Sequence, residues 1–140
     1  MMLILDTNVI SELMNPQGSQ TVKSWVNSQP RDRLFTTTIT QAEILYGIAI
    51  LPAGNRKKQL QDAAHRVFNE AFLNHLLVFD SESAANFASL STDRRRQGNP
   101  ISQFDAQIAA ICRTHQAAIV TRNVDDFLNC QIELINPWDT

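Results

Sequence analysis

The sequence lacks the residue patterns of several common enzyme classes. It has only two cysteines, Cys112 and Cys130, and their separation matches neither a metal-binding pair nor a redox pair. Its four glycines form no phosphate-binding loop of the Walker type. Nothing in it resembles a serine or cysteine catalytic triad. Cys112 lies in an apolar helical pattern, which indicates a small core residue rather than a nucleophile.

The chain also lacks an excess of charge of one sign and any long hydrophobic run. Its formal net charge at pH 7 is -2, so bulk electrostatics do not indicate nucleic-acid binding. A nucleic-acid partner would need a local basic patch or bound cations. Residues 1–6 (MMLILD) contain no basic segment and reach an acid early. We therefore expect no signal peptide, no membrane span and no membrane partner, and a reducing cytoplasmic location.

What the sequence does contain is the composition of an ordinary globular protein. It has 140 residues, of which 44% are hydrophobic and 19% are charged. A chain of this length is long enough for one domain with a substantial core. Since no repeat, linker or low-complexity segment divides it, we predict a single domain that spans residues 1–140.

Short apolar runs alternate with segments of helical periodicity along the whole chain. Residues 3–5 (LIL) show no alternation of polar and apolar side chains, which is typical of a strand covered on both faces. We predict strands at residues 3–5, 34–37, 76–79, 118–120 and 132–135, and helices at residues 9–14, 22–26, 40–51, 55–74, 84–90 and 105–114. This order predicts an α/β fold with a central parallel sheet of about five strands and helices on both faces.

Three acids lie where such a fold would gather them. Asp6 directly follows the first strand, Glu43 lies near the start of the helix after the second, and Asp105 opens a later helix. Ligands of parallel sheets bind beyond the carboxyl ends of the strands. Several carboxylates in one pocket repel one another, and a hard divalent cation such as Mg²⁺ or Mn²⁺ relieves that repulsion. Such an ion can activate water and neutralise a phosphate, the two requirements of phosphodiester hydrolysis.

Two of these acids also have a purely structural interpretation. Thr40-x-x-Glu43 and Ser102-x-x-Asp105 both match a capping box, in which the acid closes the start of a helix. Asp6 is different, because a carboxylate directly after a buried strand loses water and needs partners. Function is therefore the better interpretation for Asp6, and both interpretations stay open for the other two.

Four segments resemble the motifs of PIN-domain ribonucleases. They are residues 5–11 (LDTNVIS), 39–47 (ITQAEILYG), 100–110 (PISQFDAQIAA) and 120–127 (VTRNVDDF), with residues 136–138 (NPW) resembling a common ending of one subgroup. We call residues 120–127 the fourth motif. The match is to the VapC-type toxins of bacterial toxin–antitoxin pairs, especially the FitB-like branch. It covers nearly the whole chain in the expected order, and the fold that it implies is a single PIN-like domain.

The resemblance implies an endoribonuclease that needs Mg²⁺ or Mn²⁺ and acts as the toxin of a type II toxin–antitoxin module for plasmid or genome stability. It also implies a homodimer and a cognate antitoxin that blocks the acidic pocket. By position, Asp6 and Asp105 would be the principal metal ligands, and Glu43 would complete the pocket. Thr7 and Asn8 would be supporting groups that orient Asp6.

The fourth motif supplies further supporting residues, and it departs from the strictest family pattern. That pattern has an acid where this chain has Asn123, which puts a second metal ion in doubt. Thr121 precedes Asn123 in the motif and is a further supporting residue. Asp126 follows Asn123 and could partly compensate for the missing charge. A solvated acid or a helix cap is at least as good an interpretation of Asp126. Arg122, also in the motif, is the better-placed candidate for an RNA phosphate contact.

The only dense basic run is residues 94–96 (RRR). Consecutive side chains on a helix point about 100° apart, so the three cannot share one face. One or two, with Arg95 as the candidate, could contact RNA phosphates, while another suits the end of the helix. Ordinary solvated arginines are the favoured interpretation.

Two other functions compete with the nuclease. An aspartate-based phosphotransferase or phosphatase domain would also place an acid after the first strand. The haloacid-dehalogenase type needs a second acid two residues later, where this chain has Asn8. A non-catalytic PIN-like binding module is the third possibility, and Asn123 is its only support in the sequence.

Overall fold

The computed structural model describes residues 1–140 and contains one five-stranded parallel sheet. The strand order is β3-β2-β1-β4-β5, and every neighbouring pair is parallel. The strands are β1 (Leu3–Leu5), β2 (Leu34–Thr37), β3 (Leu76–Leu77), β4 (Ala118–Val120) and β5 (Leu134–Ile135). The predicted α/β class, the parallel sheet and its five strands are confirmed. β3 and β5 are shorter than predicted, because each is an edge strand with a single neighbour.

Six α-helices connect the strands. They are α1 (Thr7–Met14), α2 (Gln20–Asn27), α3 (Thr38–Ala49), α4 (Asn55–Arg66), α5 (Ser81–Arg96) and α6 (Gln103–Thr114). α4 continues as a π-helical turn, Val67–Ala71, and the two together occupy most of the single helix predicted there. Short 3₁₀ turns lie at Arg31–Arg33, Val124–Phe127 and Pro137–Asp139. No helix is long and apolar enough to cross a membrane.

The alternating side chains of β1 divide the core into two layers. Leu3 and Leu5 belong to a cluster that also contains residues of α1 to α4 and the π-helical turn, whereas Ile4 belongs to a cluster built mainly from α5 and α6. Ile4 and Leu5 are fully buried. The helices therefore cover both faces of the sheet, as the unbroken apolar run of β1 predicts. Cys112 is buried in the second cluster, which confirms its interpretation as a core residue.

β1 is the point at which the chain changes the side on which it adds new strands to the sheet. From β1 the chain builds β2 and β3 on one side of the sheet, then crosses back to place β4 on the other side of β1. The carboxyl ends of β1 and β4 therefore border the crevice at which open parallel sheets bind their ligands.

Candidate active site

Asp6 lies at the carboxyl end of β1, beside the end of β4. Its backbone N–H donates to the carbonyl of Val120 at 2.9 Å, which extends the ladder between the two strands by one residue. Its side chain caps the start of α1, since Oδ1 accepts the backbone N–H of Thr7 at 2.8 Å. The strand thus delivers this acid directly to the crevice.

The other oxygen of Asp6 accepts hydrogen bonds from neutral groups. Oδ2 accepts the hydroxyl of Thr121 at 2.8 Å and, at 3.5 Å, the amide of Asn8. Asp6 is only 4% exposed. Burial raises the pKa of Asp6 to about 6, the hydrogen bonds from Thr121 and Thr7 oppose that rise, and the charges of Asp105 and Glu43 add to it. Because none of its donors is a cation, the charge of this carboxylate is not balanced within the site.

Glu43 reaches the site from α3 through Thr7. The hydroxyl of Thr7 donates to Oε1 of Glu43 at 2.8 Å and lies 3.0 Å from the hydroxyl of Thr40. Thr7 has one hydroxyl hydrogen, so once it is given to Glu43 the hydroxyl of Thr40 must donate to Thr7. Burial raises the pKa of Glu43, the bond from Thr7 opposes this, and the charge of Asp105 raises it further.

The capping-box interpretation of Thr40 and Glu43 is wrong. α3 begins at Thr38, and its N-cap is Thr37, whose hydroxyl accepts the backbone N–H of Thr40 at 3.1 Å. Thr40 is therefore inside the helix and fully buried, and it faces Thr7 rather than capping anything. The physical reason is that β2 runs into α3 without a loop, which moves the cap three residues toward the N-terminus.

Asp105 lies in the first turn of α6. The predicted cap at Ser102 is confirmed, because its hydroxyl accepts the backbone N–H of Asp105 at 3.3 Å. The Asp105 side chain is only partly buried. Burial raises its pKa, the charge of Asp126 raises it further, and a hydrogen bond from Ser102 and the charge of Arg94 lower it. Asp105 thus belongs to the capped first turn of α6, and its charge also acts on Asp6 and Glu43.

The three carboxylates affect one another, but they do not form a finished metal site. No group of three His, Cys, Asp or Glu side chains is close enough, as the side chains stand, to hold one ion. The donor set nevertheless fits a hard divalent cation, since it consists of carboxylate oxygens whose charge has no cationic partner in hydrogen-bond contact.

Thr121 links the fourth motif to Asp6. Its hydroxyl donates to Asp6 and accepts the amide of Asn8 at 3.2 Å and the backbone N–H of Asn123 at 3.1 Å. Oδ1 of Asn8 accepts the backbone N–H of Arg122 at 3.2 Å. Asn8 and Thr121 therefore fix the start of the fourth motif against the N-terminus of α1. The side chain of Asn123 is exposed.

The predicted basic residues lie in different surroundings. Arg95 is exposed in the last turn of α5, and the guanidinium of Arg122 lies over the ring of Trp138, 5.1 Å from its centroid. Arg94 is buried, so the interpretation of the whole run as solvated arginines is wrong for this residue. Neither Thr40 nor Arg94 is indicated as a site residue by the sequence, because their partners are distant in the chain.

Comparison with known proteins agrees with this fold. The profile of the PIN domain matches residues 3–130. The chain belongs to the PIN-domain family. It is 33% identical over 138 residues to the VapC ribonuclease Y4jK of Sinorhizobium fredii, with 99% of each chain covered. It is 32% identical to the Toxin FitB of Neisseria gonorrhoeae over 98% of this chain and 99% of that protein.

A solved structure shows the same PIN-domain architecture. The crystal structure of FitAcB from Neisseria gonorrhoeae superposes with a TM-score of 0.88 at 30% identity, over 99% of this chain and 100% of the matched chain. The resemblance to PIN-domain proteins of the VapC type and the FitB-like branch is therefore confirmed.

Proposed function

We propose that this PIN-domain protein is an endoribonuclease that depends on Mg²⁺ or Mn²⁺ and hydrolyses RNA phosphodiester bonds. The observation that carries the proposal is that the fold brings Asp6, Glu43 and Asp105 to the crevice at the carboxyl end of β1: Thr7, whose backbone N–H donates to Asp6, donates through its hydroxyl to Glu43, and the charge of Asp105 acts on both Asp6 and Glu43. The likeness to a protein named a VapC ribonuclease along 99% of the chain supports the same activity.

The contacts of the three acids indicate different roles in metal binding. Asp6 and Asp105 would be the principal metal ligands, and Glu43 would complete the set. Asp6 is held rigidly by Thr7 and Thr121, whereas Glu43 receives one side-chain hydrogen bond. We therefore expect Glu43 and Asp105 to adjust toward the ion while Asp6 stays in place. When bound, the cation supplies an acidified water as nucleophile and compensates the charge that develops on the phosphate.

The number of ions depends on the fourth motif. Asn123 offers a neutral carbonyl oxygen where the strict family pattern has a carboxylate. Asp126 stands in the same motif, and its charge acts on Asp105. The chain therefore has enough carboxylates for one ion, and a second ion would need further oxygen ligands from the substrate.

RNA would be held by local cations, because the net charge is -2. Arg122 lies in the segment that Asn8 and Thr121 fix beside Asp6, and its guanidinium rests on Trp138. Stacking on an aromatic ring limits the freedom of a guanidinium before it meets a phosphate. Arg95 is exposed and would be a second, peripheral contact.

The biological role that fits this activity is that of a toxin under the control of an antitoxin. The relative FitB is named a toxin. A cell that makes a ribonuclease of this kind needs a protein that neutralises it, so we propose a cognate antitoxin as partner, a homodimer as the assembly, and the cytoplasm as the place where its RNA substrate is met.

A metal-titrated cleavage assay on mixed RNAs tests the proposal. Wild-type protein should cut RNA only with Mg²⁺ or Mn²⁺, and Asp6→Asn and Asp105→Asn should abolish cleavage. Asp125→Asn is the matched control, since Asp125 is an exposed acid of the same fourth motif, and it should leave cleavage unchanged. Normal cleavage by the Asp6 variant, or in excess chelator, would refute the mechanism.

The other two functions give different results in the same experiments. Covalent phosphate on Asp6 would indicate the phosphotransferase. A folded protein without metal affinity would indicate the binding module. The structure does not favour the phosphotransferase, because Asn8 is a neutral link between Asp6, Thr121 and Arg122 rather than a second reacting group.

A further inference from the structure

Arg94 and Asp6 are the only charged residues that are buried. Arg94 lies in the last turn of α5 and is 3% exposed. Its Nε donates to the carbonyl of Asn99 at 2.8 Å, and its Nη1 donates to the carbonyls of Asp126 at 2.9 Å and Leu128 at 3.0 Å. Nη1 also donates to the Sγ of Cys130 at 3.6 Å, so the acceptors are three peptide carbonyls and a sulfur, and no carboxylate is in hydrogen-bond contact with this buried cation. Burying a charge without a counter-ion costs free energy, and hydrogen bonds to its donors offset part of that cost. The bonds to these carbonyls are therefore what keeps Arg94 buried.

The acceptors of Arg94 belong to the segments that flank Asp105. Asn99 lies in the loop that leads to α6, the helix of Asp105, and Asp126 lies in the 3₁₀ turn Val124–Phe127 of the fourth motif. Phe127 of this turn is buried in the same core cluster as α6. The turn therefore packs against α6 through Phe127, and Arg94 binds its backbone.

The 3₁₀ turn of Asp126 contacts α6, and its Phe127 shares a core cluster with Ala106, the residue after Asp105. The negative charge of Asp126 raises the pKa of Asp105, and the positive charge of Arg94 lowers it. Arg94 donates to the main-chain oxygen of the same residue whose carboxylate acts on Asp105. A buried side chain thus binds the backbone of Asp126 without touching Asp6 or Asp105.

We propose that Arg94 is a positioning residue of the acidic site: by holding the carbonyl of Asp126 it keeps the Asp126 carboxylate beside Asp105, where it supplies the charge that Asn123 lacks. This inference rests on the proposed function, since it concerns the same metal-binding acids. What it adds is Arg94, a residue that orients Asp126 through the backbone. Groups that orient a ligand without touching the metal commonly change its affinity by about 10- to 100-fold.

The chain contains a matched control for Arg94. Arg113 of α6 donates from Nε and Nη2 to the carbonyl of Cys130, at 3.2 and 2.8 Å. It therefore ties down the end of the same loop by the same kind of bond, but it does not touch Asp126. Loss of Arg113 reports on loop stability alone, whereas loss of Arg94 reports on loop stability and on the place of Asp126.

The experiment measures Mn²⁺ binding by calorimetry in the absence of RNA, with thermal unfolding recorded in parallel. Arg94→Lys keeps the charge, but its single ammonium cannot reach the same set of carbonyls. We expect this variant and Asp126→Asn each to weaken Mn²⁺ binding about tenfold. The double variant should bind no more weakly than either single variant, because both changes remove the same contribution. Arg113→Lys should lower the unfolding temperature without changing Mn²⁺ affinity.

Several outcomes would overturn the inference. Unchanged affinity in Asp126→Asn is decisive on its own, since Asp126 is exposed and its substitution leaves the fold intact. Equal loss of affinity in the Arg94 and Arg113 variants would show that general loop stability is the cause. If Arg94→Lys fails to fold, Arg94→Gln replaces it in the comparison. Absence of Mn²⁺ binding in the wild-type protein would instead refute the proposed function, so the two failures are distinguishable.

Discussion

Replacement of Asp6 by asparagine should abolish activity and should make the metal-free variant more stable, relative to wild type, as the pH rises from acidic to neutral. The pKa of Asp6 is about 6 in the folded protein against an ordinary value of 3.8, and burial is the main cause. A carboxyl group whose pKa rises on folding stabilises the fold while it is protonated, and this contribution is lost as pH rises through the folded-state pKa. From the difference between these two values, the loss is about 3 kcal/mol above pH 7.

Urea unfolding in the presence of a chelator, at about pH 4 and about pH 8, measures this effect. The amide that Asp6→Asn introduces would alter the hydrogen bonds to Thr7 and Thr121 by an amount that does not depend on pH. At pH 4 the unfolded-state carboxyl, with its ordinary pKa of 3.8, is already partly ionised, so the stability of the Asp6→Asn variant relative to wild type should increase by about 2 kcal/mol between the two pH values. An unchanged difference would refute the argument that burial raises the pKa of Asp6.

Asp80 provides a control of opposite sign. Its pKa is lowered, chiefly because the backbone N–H of Ser83 donates to its carboxylate at the start of α5. A carboxylate whose pKa is lowered on folding stabilises the fold at pH values above its ordinary pKa, and this contribution is lost as the pH falls through the folded-state pKa. Asp80→Asn should thus be most destabilising at neutral pH. A separate experiment adds Mg²⁺ at neutral pH. Because an ion that binds only the folded state stabilises it, Mg²⁺ should raise the free energy of unfolding of the wild-type protein and leave that of Asp6→Asn unchanged.

Three further substitutions test other parts of the site and core. Thr7→Val removes the hydroxyl that donates to Glu43, so it should weaken Mg²⁺ binding in calorimetry and destabilise the fold by about 1 kcal/mol, whereas Thr7→Ser should restore both. Thr121→Val removes a buried donor to Asp6 and should lower the free energy of unfolding by about 1 to 3 kcal/mol in urea denaturation; a loss within experimental error would contradict the hydrogen-bond network. Burial raises the pKa of the Cys112 thiol, so a thiol-specific reagent should label Cys112 only after unfolding, and rapid labelling of the folded protein would contradict its placement in the core.

The sequence predicts the central part of the fold better than its edges. The unbroken apolar run of β1 follows from burial on both faces, and the structure places these residues in both core layers. At the edge strand β3 the apolar run continues past the ladder, because Val78 is apolar but exposed and unpaired with a neighbour. Apolar character alone therefore overestimates the length of a strand that has one neighbour.

The site residues also differ in how well the sequence predicts them. The position of Asp6 follows from the rule for parallel sheets, since only the strand order is needed. Glu43 is ambiguous in the sequence because Thr40-x-x-Glu43 fits a capping box equally well, and only the true cap at Thr37 decides between the two. Arg94 could not be found, because its acceptors are backbone carbonyls whose positions depend on the folded loops.

The parallel direction of the strands has a practical consequence for protein engineering. β1 begins at Leu3, so residue 1 lies at the edge of the sheet opposite to Asp6, and Met1 is 62% exposed. β5 ends on the same side as Asp6 and is followed by Trp138, which carries the guanidinium of Arg122. An affinity tag or fluorescent fusion placed before residue 1 should leave the crevice accessible, whereas one attached after residue 140 would crowd the approach of a long polymer substrate.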